Sequence, residues 1–252
     1  MAALRRRRVR EDEGVTLVDG YEELRLAVSA GVVPRLLLHC PELMLDPEVQ
    51  GRLVDEVRAM GATTIRCARG VFEKVAYREG PDGFVAVVPA AGVALAELAL
   101  PPAPLVVVVE SLEKPGNLGS VLRTADAAGV AAVIAADPAT DWGNPNVVRA
   151  SKGAVFSVPV AAAPLDEVLD WLRRSGFRLV ATTPNTETLH TDVDYRGAVA
   201  IAVGTEKAGL TDAALAAADE RVRIPLSGRV DSLNAGVSAA VVVYEAIRQR
   251  AL

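Results

Sequence analysis

Short apolar runs alternate with amphipathic stretches along the chain, and Gly or Pro separates many of them. Before Leu100 this pattern predicts the order strand, helix, strand, helix, strand, and then one more strand. The predicted strands cover residues 15–18, 35–39, 63–67 and 84–88, and the predicted helices cover residues 22–29 and 47–60. This order predicts a small α/β domain.

From Leu105 onward, strands and helices alternate without interruption. Strands are predicted at residues 105–109, 131–135, 155–160, 178–182, 198–203 and 222–224. Helices are predicted to begin near Gly119, Asn146, Leu165, Asp212 and Asn234, and the last continues to about Arg250. Most of these strands are Val-rich runs without in-out alternation, which indicates burial on both faces. We therefore expect an α/β fold with a mainly parallel sheet and helices on both of its faces.

A proline-rich segment separates these two parts. Residues 100–104 read Leu-Pro-Pro-Ala-Pro, and a run of prolines makes a stiff, extended joint. We therefore expect an N-terminal domain at residues 1–97, a linker at residues 98–104 and a second domain at residues 105–252.

The charge balance limits how the chain can contact nucleic acid. Its 27 Lys and Arg against 32 Asp and Glu give a formal net charge of −5, which excludes a uniformly basic surface. Any contact with RNA must be a local patch. A cluster of arginines lies before the first acidic residue: Arg5, Arg6, Arg7, Arg8 and Arg10. A flexible tail of this kind can contact phosphates, and a disordered, solvated start is the alternative.

Several classes of protein are excluded by what the sequence lacks. Cys40 and Cys67 are the only cysteines, so a disulfide scaffold is excluded and a reducing, cytoplasmic setting fits. No apolar run is long enough to span a bilayer, and no apolar segment of a secretion signal follows the arginines. His39, His190 and the cysteines lack ligand-like spacing, so we expect no metal. Neither a Gly-x-Gly-x-x-Gly nor a Walker A pattern is present.

Three polar clusters follow predicted strands, at the carboxyl ends where open α/β sheets bind ligands. The first, residues 110–123, contains Asn117 where a helix cap belongs and Arg123 six residues later. Together these side chains could hold a phosphate or a ribose hydroxyl. Taken singly, Asn117 could be a cap and Arg123 a solvated helix charge.

The second and third clusters also allow a simple structural interpretation. Residues 203–210 place glycines on both sides of Glu206, and Gly204 would permit the backbone to approach a ligand closely. Residues 224–234 end in Ser232 and Asn234 before the last helix. The alternatives are an ordinary loop with a solvated acid and a helix cap. Three such clusters on one sheet favour a ligand site more strongly than any one of them.

The three clusters together resemble a known set of motifs. Asn117-x-Gly-x-x-x-Arg123, then Val203-Gly-Thr-Glu206-Lys-Ala-Gly, then Ile224-Pro-Leu-x-Gly-x-x-x-Ser232-Leu-Asn234, are similar to the three motifs of the SpoU (TrmH) family of RNA 2′-O-ribose methyltransferases of the SPOUT class. The resemblance covers about residues 104–250. The N-terminal part resembles the ribosomal-protein-like RNA-binding domain of rRNA-modifying members, at residues 7–20 and 73–88.

The resemblance implies a fold, a cofactor and an assembly. Family members have a deep C-terminal trefoil knot, bind S-adenosylmethionine inside it in a bent shape and work as homodimers. Matched to the motifs, the adenosine contacts would come from main chain and apolar groups at Thr182, Thr183, Gly204, Ile224, Leu226 and Leu233. Such contacts suit a neutral adenine.

The resemblance also implies a catalytic set. Arg123 would be the catalytic residue, and because a guanidinium is effectively always protonated, we expect it to bind the adjacent phosphate and stabilise the developing alkoxide. Asn117, Glu206, Ser232 and Asn234 would hold the arginine and the ribose. Lys152 matches a basic position in related enzymes and could meet RNA across the dimer.

These implications favour S-adenosylmethionine-dependent 2′-O-methylation of RNA, with a nucleotide of 23S rRNA as the expected target. A separate N-terminal module is useful for recognising a structured rRNA loop. The alternatives are a tRNA methyltransferase, a non-catalytic RNA-binding or ribosome-assembly protein, and a small-molecule transferase. Ribosome maturation and protection against a ribosome-targeting antibiotic are both open as roles. We expect a cytoplasmic protein without membrane or DNA partners.

Overall fold

The computed structural model describes residues 1–251, which form two compact units. The first unit comprises residues 1–91 and 141–157, and the second comprises residues 92–140 and the chain from Val158 onward. Residues 141–157 therefore pack with the N-terminal residues, although they follow the first strands of the second unit in sequence. The functional division at residues 1–97, 98–104 and 105–252 stays a prediction.

Helices and strands alternate through most of the described chain. The α-helices are α1 (Arg7–Glu13), α2 (Tyr21–Ser29), α3 (Pro47–Ala59), α4 (Arg69–Val75), α5 (Pro115–Ala128), α6 (Pro145–Ala150), α7 (Leu165–Arg174), α8 (Asp212–Ala217) and α9 (Ala235–Arg250). The strands are β1 (Val15–Asp19), β2 (Leu36–His39), β3 (Thr63–Arg66), β4 (Phe84–Pro89), β5 (Leu105–Glu110), β6 (Ala132–Ala136), β7 (Val160–Ala163), β8 (Arg178–Thr182), β9 (Val199–Val203) and β10 (Glu220–Val222). Short 3₁₀ turns lie at Ala2–Arg5, Pro41–Leu43, Leu95–Glu97 and Ala154–Phe156.

The first unit is built on a four-stranded sheet in the order β1-β4-β2-β3. Strand β4 runs antiparallel to β1 and β2, and β3 extends the sheet parallel to β2. Apolar side chains from the strands and from α4 fill its core, among them Leu17, Phe72 and Val85. The sequence predicted the four strands and the helices α2 and α3 close to their observed bounds. It missed α1 and α4, seven-residue helices with short apolar patterns.

The N-terminal arginines do not form a flexible tail, which corrects the expectation from sequence. The chain forms a 3₁₀ turn at Ala2–Arg5 and then α1. Leu4 is buried and Arg10 is only 3% exposed. These two side chains anchor the segment in the unit, because a buried apolar group and a buried, paired charge both oppose its release.

Residues 141–157 are held to the first unit by polar contacts. Arg10 donates from its guanidinium to Asp141 Oδ2 at 2.6 Å, and the Thr16 hydroxyl donates to the carbonyl of Gly143. Asn146 Nδ2 donates to the Tyr77 hydroxyl at 2.9 Å. These partners lie far from one another in sequence, so no local pattern could have placed the segment here.

The second unit contains a six-stranded sheet in the order β10-β8-β9-β5-β6-β7. Every pairing in it is parallel. The central strands β5, β6 and β9 are buried along their whole length. This confirms the expected parallel sheet, because strands covered on both faces have no need for alternating polar residues.

Helices cover both faces of this sheet, as expected. Val106 and Val108 pack in one apolar cluster with Leu172 of α7 and Ala214 of α8. The intervening Val107 and Val109 are also buried and point to the opposite face. Helices α5 and α9 pack against each other, α5 against β6 and α9 against β9.

Two strands and one helix start differ from their predicted positions. Val155 lies buried in a 3₁₀ turn, so the strand predicted at 155–160 begins only at Val160. The strand predicted at 222–224 lies instead at Glu220–Val222, as β10. Its last residue, Val222, pairs with Thr182, the last residue of β8. Helix α5 begins at Pro115, four residues before the predicted start, because proline suits the first position of a helix.

None of the helices in the described chain is long and apolar enough to cross a membrane.

Candidate active site

Three loops meet at one edge of the parallel sheet of the second unit. Strands β5, β9 and β10 run in the same direction, so their carboxyl ends lie along this edge. The loop after β5 leads into α5, the loop after β9 contains Glu206, and the chain after β10 leads into α9. The structure brings one residue from each segment together: Asn117, Glu206 and Asn234.

Asn117 lies inside the first turn of α5 and does not cap it, which corrects the interpretation from sequence. Lys114 occupies the cap position and Pro115 begins the helix. Asn117 is 8% exposed and its side chain points across the edge of the sheet. Its Nδ2 donates to Glu206 Oε1 at 3.3 Å, and its Oδ1 accepts from Asn234 Nδ2 at 2.9 Å. The Asn117 amide therefore donates one hydrogen bond within this group and accepts another.

Asn234 combines two functions in one side chain. Its Oδ1 accepts hydrogen bonds from the backbone N–H groups of Gly236 and Val237, at 2.9 and 3.3 Å, and so caps α9. Its Nδ2 donates to Asn117 and, at 2.6 Å, to Glu206 Oε1. The helix cap considered from sequence is confirmed, and the same amide joins the network.

Glu206 is the acceptor at the centre of this network. Lys114 Nζ donates to Glu206 Oε2 at 2.6 Å, while both asparagines donate to Oε1. The Lys114 ammonium, followed by the two amides, holds the pKa of Glu206 below its ordinary 4.5 despite partial desolvation. The hydrogen bond with Glu206 raises the pKa of Lys114 in turn. Both shifts have the sign of an ion pair.

Lys114 was missed by the sequence analysis. It lies four residues after Glu110 in a chain with only four lysines, at positions 74, 114, 152 and 207. That scarcity is the only signal that could have found it. Glu110 was missed as well: it is 1% exposed, its Oε2 accepts from the Thr211 backbone N–H at 3.0 Å, and its Oε1 has no partner among the described residues.

Arg123 and Ser232 lie outside the network. Arg123 is exposed on α5, and among the described residues it has neither a hydrogen bond nor an ion pair. Ser232 is exposed in the segment before α9 and makes no hydrogen bond in the described chain. Arg123 is therefore a free cation, available to a ligand that the protein alone does not supply.

The expected cofactor residues follow β8, β9 and β10. Thr182 Oγ1 donates to the Ala202 carbonyl at 2.8 Å, and the Thr183 backbone N–H donates to the Val222 carbonyl at 2.9 Å. Ile224 and Leu233 are half-buried, and Leu226 is 38% exposed. Within the described chain, no N–H of residues 224–233 donates to another backbone group. Free amides beside apolar side chains are what a neutral purine requires, so this segment fits the adenosine of S-adenosylmethionine.

Gly204 is required by its own chain. A Cβ at this position would overlap the backbone of Gly209 and Leu210. The turn is closed by two backbone hydrogen bonds between Thr205 and Gly209, at 3.1 and 2.9 Å. The structure therefore shows the backbone of the same loop packed against Gly204, and a close approach of a ligand there stays a prediction.

The arginines expected to bind RNA lie in different environments. Arg8 is 92% exposed in its side chain, and Arg6 is also exposed. Arg7 pairs with Glu11 at 2.7 Å, and Arg5 donates to the Ala76 carbonyl and lies over the Tyr77 ring. Arg10 is buried against Asp141 and cannot reach RNA in this structure, which corrects its expected role.

Lys152 is exposed with a left-handed backbone (φ 52°) just after the end of α6.

In the described part of the chain, no three His, Cys, Asp or Glu side chains lie close enough together to hold a metal ion.

Comparison with known proteins identifies the family. The profile of the SpoU rRNA Methylase family matches residues 104–244, and that of the MRM3-like substrate binding domain matches residues 1–86. A 23S rRNA (uridine(2479)-2′-O)-methyltransferase of Streptomyces viridochromogenes is 33% identical over 256 residues, which cover 99% of this chain and 88% of that protein.

Solved structures agree over the whole chain. A crystal structure of an RNA 2′-O ribose methyltransferase is 42% identical, with a TM-score of 0.85 over 100% of this chain and 95% of its own. The SpoU methyltransferase AviRb from Streptomyces viridochromogenes, in complex with the cofactor AdoMet, is 32% identical, with a TM-score of 0.88 over 99% of this chain and 96% of its own. The chain therefore belongs to the SpoU rRNA methylase family.

Proposed function

We propose that this protein transfers a methyl group from S-adenosylmethionine to a ribose 2′-hydroxyl of 23S rRNA. The observation that carries this function is the hydrogen-bond network of Asn117, Glu206 and Asn234, which joins three loops at the ligand-binding edge of a parallel sheet. Two similar proteins support it: the 23S rRNA methyltransferase that matches nearly the full chain, and the structure that holds AdoMet.

The cofactor would be held by the segments after β8, β9 and β10. Thr182, Thr183 and Gly204 would supply backbone contacts, and Ile224, Leu226 and Leu233 would supply the apolar walls of the adenosine site. The chemistry supplied by bound S-adenosylmethionine is an electrophilic methyl group on a sulfonium. No metal is needed to activate such a donor.

Arg123 would act on the RNA. A guanidinium offers N–H donors and no acceptor atom, so it is a poor proton acceptor. An exposed arginine without a protein partner can instead bind the phosphate next to the target ribose and stabilise the negative charge that develops on the 2′-oxygen. A phosphate oxygen or water would then accept the proton.

Glu206 would position the site and would not serve as the base. Its carboxylate already accepts three charge-assisted or amide hydrogen bonds, from Lys114, Asn117 and Asn234. These donors lower its basicity. We propose that Glu206 holds the two asparagines in place, and that Ser232 joins them only when the RNA is bound.

RNA capture would fall to the first unit, which matches the MRM3-like substrate binding domain. The exposed Arg6 and Arg8, together with Arg5, Arg7 and Lys152, would contact phosphates. DNA is not expected as a substrate, because it lacks the 2′-hydroxyl.

We further propose the trefoil knot and the homodimer of the family. Residues after β10 are hydrogen-bonded to the loop after β8, through Arg223 with Thr188 and His190 at 2.9 Å, which is where a knot would cross. Helix α9 exposes Val237 by 46% and Tyr244 by 51%. Seven residues apart, they lie on one face of the helix and form an apolar surface suited to a second copy of the chain.

Two other functions compete with this proposal: methylation of tRNA, and RNA binding without catalysis. The 23S rRNA methyltransferase that matches 99% of this chain favours rRNA. We also propose a cytoplasmic location, which is compatible with an rRNA substrate.

The test is methyl transfer from labelled S-adenosylmethionine to total RNA of a strain that lacks the modification, with RNAs separated by size. We expect label in 23S rRNA with the wild type and at least a hundredfold less with Arg123→Ala, in line with the loss of one preorganised charge-stabilising group. Label in tRNA would contradict the proposed substrate. A folded Arg123→Ala variant with wild-type turnover would contradict the proposed role of Arg123.

A further inference from the structure

A cavity of about 310 Å³ lies in the first unit, between one side of α3 and the chain that follows β2. Its size falls in the range of small-ligand sites. His39, Met44 and Val54 are among its lining residues, and the α3 residues on its wall include Glu48, Gly51 and Arg52. None of these residues belongs to the candidate active site or to the N-terminal arginines.

Gly51 is the unusual residue on this wall. It is the fifth residue of α3, a 13-residue helix, and a glycine inside a helix costs about 1 kcal/mol relative to alanine. A Cβ on Gly51 would meet no atom within 4 Å, and its backbone is not left-handed. Neither packing nor backbone conformation therefore requires a glycine here. What the missing side chain provides is open space in the cavity.

The rim of the cavity is held in place without any ligand. Gln50 is buried, and its Oε1 accepts from the backbone N–H groups of Leu45 and Asp46, at 2.9 and 3.4 Å. Asp46 in turn caps α3 by accepting from the Glu48 and Val49 N–H groups, both at 3.1 Å. A preformed rim spares a ligand the entropic cost of ordering the loop.

The polar groups of the cavity differ in whether they are already engaged. Arg58 is bound to Asp55 at 2.7 Å and to Thr64 at 3.1 Å. By contrast, the side chains of Glu48 and Arg52 have no hydrogen bond or ion pair within the described chain. The Nδ1 atom of His39 is shielded from solvent and has no partner there. Burial lowers the pKa of His39, which favours the neutral ring.

This combination matches the chemistry of a nucleotide. The rings of Pro41, which is half-buried, and Pro47, which is exposed, also line the cavity and offer apolar contact to the faces of a base. A carboxylate can accept hydrogen bonds from base N–H groups. A free guanidinium binds phosphate. A guanine fits best, because it presents two adjacent kinds of N–H donor to one carboxylate, whereas uracil presents a single N–H.

We propose that this cavity binds one unpaired nucleotide of the RNA substrate, with the base against Gly51 and Glu48 and the phosphate at Arg52. This inference rests on the proposed function, because it makes the cavity part of RNA recognition. It adds a base-reading contact to a unit whose arginines can read only phosphates.

The first experiment is a titration of the full-length protein with GMP, UMP and inorganic phosphate, followed by NMR. We expect millimolar GMP to shift the backbone amide signal of Gly51 and the ring signals of His39, and UMP to bind more weakly. Phosphate alone is expected to shift the signals of Arg52, to shift Gly51 less than GMP does, and to leave the His39 ring signals unchanged. The absence of a Gly51 shift with GMP, or an equal shift with phosphate alone, would overturn the proposal.

The second experiment fills the cavity. Gly51→Met should lower the affinity for GMP at least tenfold and raise the KM for rRNA, while the midpoint of thermal unfolding stays equal or rises. Gly70→Met is the matched control, because Gly70 also lies in a helix of this unit, would have nothing within 4 Å of an added Cβ, and is not part of the cavity. Equal losses in both variants would contradict the assignment.

If Gly51→Met does not fold, Gly51→Ala and Arg52→Gln take its place. The alanine should weaken GMP binding while stabilising α3, and the glutamine should weaken binding of GMP and UMP alike. Unchanged binding in both would overturn the proposal. Cofactor binding and methyl transfer are measured separately: an active wild type that ignores GMP contradicts only the cavity, and an inactive one that binds GMP contradicts only the proposed function.

Discussion

Asn234 Nδ2 lies 2.6 Å from Glu206 Oε1, while Oδ1 of the same amide caps α9. The start of the last helix and the loop after β9 are thereby fixed by one side chain. Because Asn117 also accepts from Nδ2 of Asn234, the first turn of α5 is fixed by the same contact. The stability of α9 and the geometry of the proposed site are coupled through this amide.

Substitutions at Asn234 should separate these two roles. Asn234→Ser keeps a capping hydroxyl but removes both donated hydrogen bonds. We therefore expect a free energy of unfolding within about 0.5 kcal/mol of the wild type, together with a large loss of methyl transfer. Asn234→Ala should lose methyl transfer and also about 1 kcal/mol of stability. Unfolding and turnover assays on the same samples check both.

Thr211→Ala is the control for this pair, because Thr211 caps α8 in the same unit without touching the network. It should lose similar stability and keep its methyl transfer. If Asn234→Ser were fully active, the network would have no part in the reaction.

Lys114 should control the ionisation of Glu206. The pKa of Glu206 is lowered in the folded protein, chiefly by the hydrogen bond from Lys114. The stabilisation from ionised Glu206 is therefore present above its ordinary pKa of 4.5 and lost as pH falls through the lower folded value. In Lys114→Met the folded pKa rises, so the loss should begin at higher pH.

Thermal unfolding and methyl transfer measured as pH is lowered would show this shift. Lys207→Met is the matched control, because Lys207 is exposed beside Glu206 and has no hydrogen bond or ion pair within the described residues. Identical acid profiles for the two variants would mean that Lys114 and Glu206 do not interact in solution.

The N-terminal arginines should divide into a structural and an RNA-binding set. Arg10→Ala leaves Asp141 with only Arg7 nearby, at 4.0 Å, so we expect a loss of about 2–3 kcal/mol in the free energy of unfolding. Arg8→Ala should cost under about 0.5 kcal/mol, because that side chain is exposed and its ion pair is long.

RNA binding should show the opposite order. Arg8→Ala and Arg6→Ala should each reduce the slope of log affinity against log salt by about one, without affecting cofactor affinity. Point variants are preferable to deleting residues 1–10, because the deletion also removes buried Leu4 and Arg10. Unchanged salt dependence in the double variant would show that the segment does not touch RNA.

The exposed face of α9 should mediate dimerisation. Tyr244→Glu places a charge in the apolar surface that includes Val237, so we expect a dimeric wild type and a monomeric variant in light scattering. A monomeric wild type would contradict the proposed homodimer. Arg248→Glu is not a suitable control, since Arg248 is paired with Glu245 at 2.8 Å.

Much of the fold could be predicted because burial on both faces leaves a clear sequence signal. The runs around Val107 and Ile201 are apolar at every position, and both became central strands of the parallel sheet. Val155 shows the limit of this signal: it is equally apolar, but it is buried in a 3₁₀ turn. Apolar character predicts burial, and the backbone conformation depends on what packs around it.

The site was predictable in part. The spacing of the motifs placed Asn117, Glu206 and Asn234 at one edge of the sheet, where the structure joins them. The contact of Lys114 with Glu206 spans 92 positions and has no local pattern. Likewise, Arg10 looked like its exposed neighbours, and only its distant partner Asp141 shows that it is buried.

Methylation of a ribose can be observed directly by mass spectrometry of nucleosides. The 23S rRNA is first incubated with the purified protein and S-adenosylmethionine carrying a heavy methyl group. We predict one 2′-O-methylated nucleoside with the heavy label on its ribose, and at least a hundredfold less of it in the reaction with Arg123→Ala. A heavy methyl group on a base, or no heavy nucleoside in any RNA from a protein that binds the cofactor, would contradict 2′-O-methylation of rRNA by this protein.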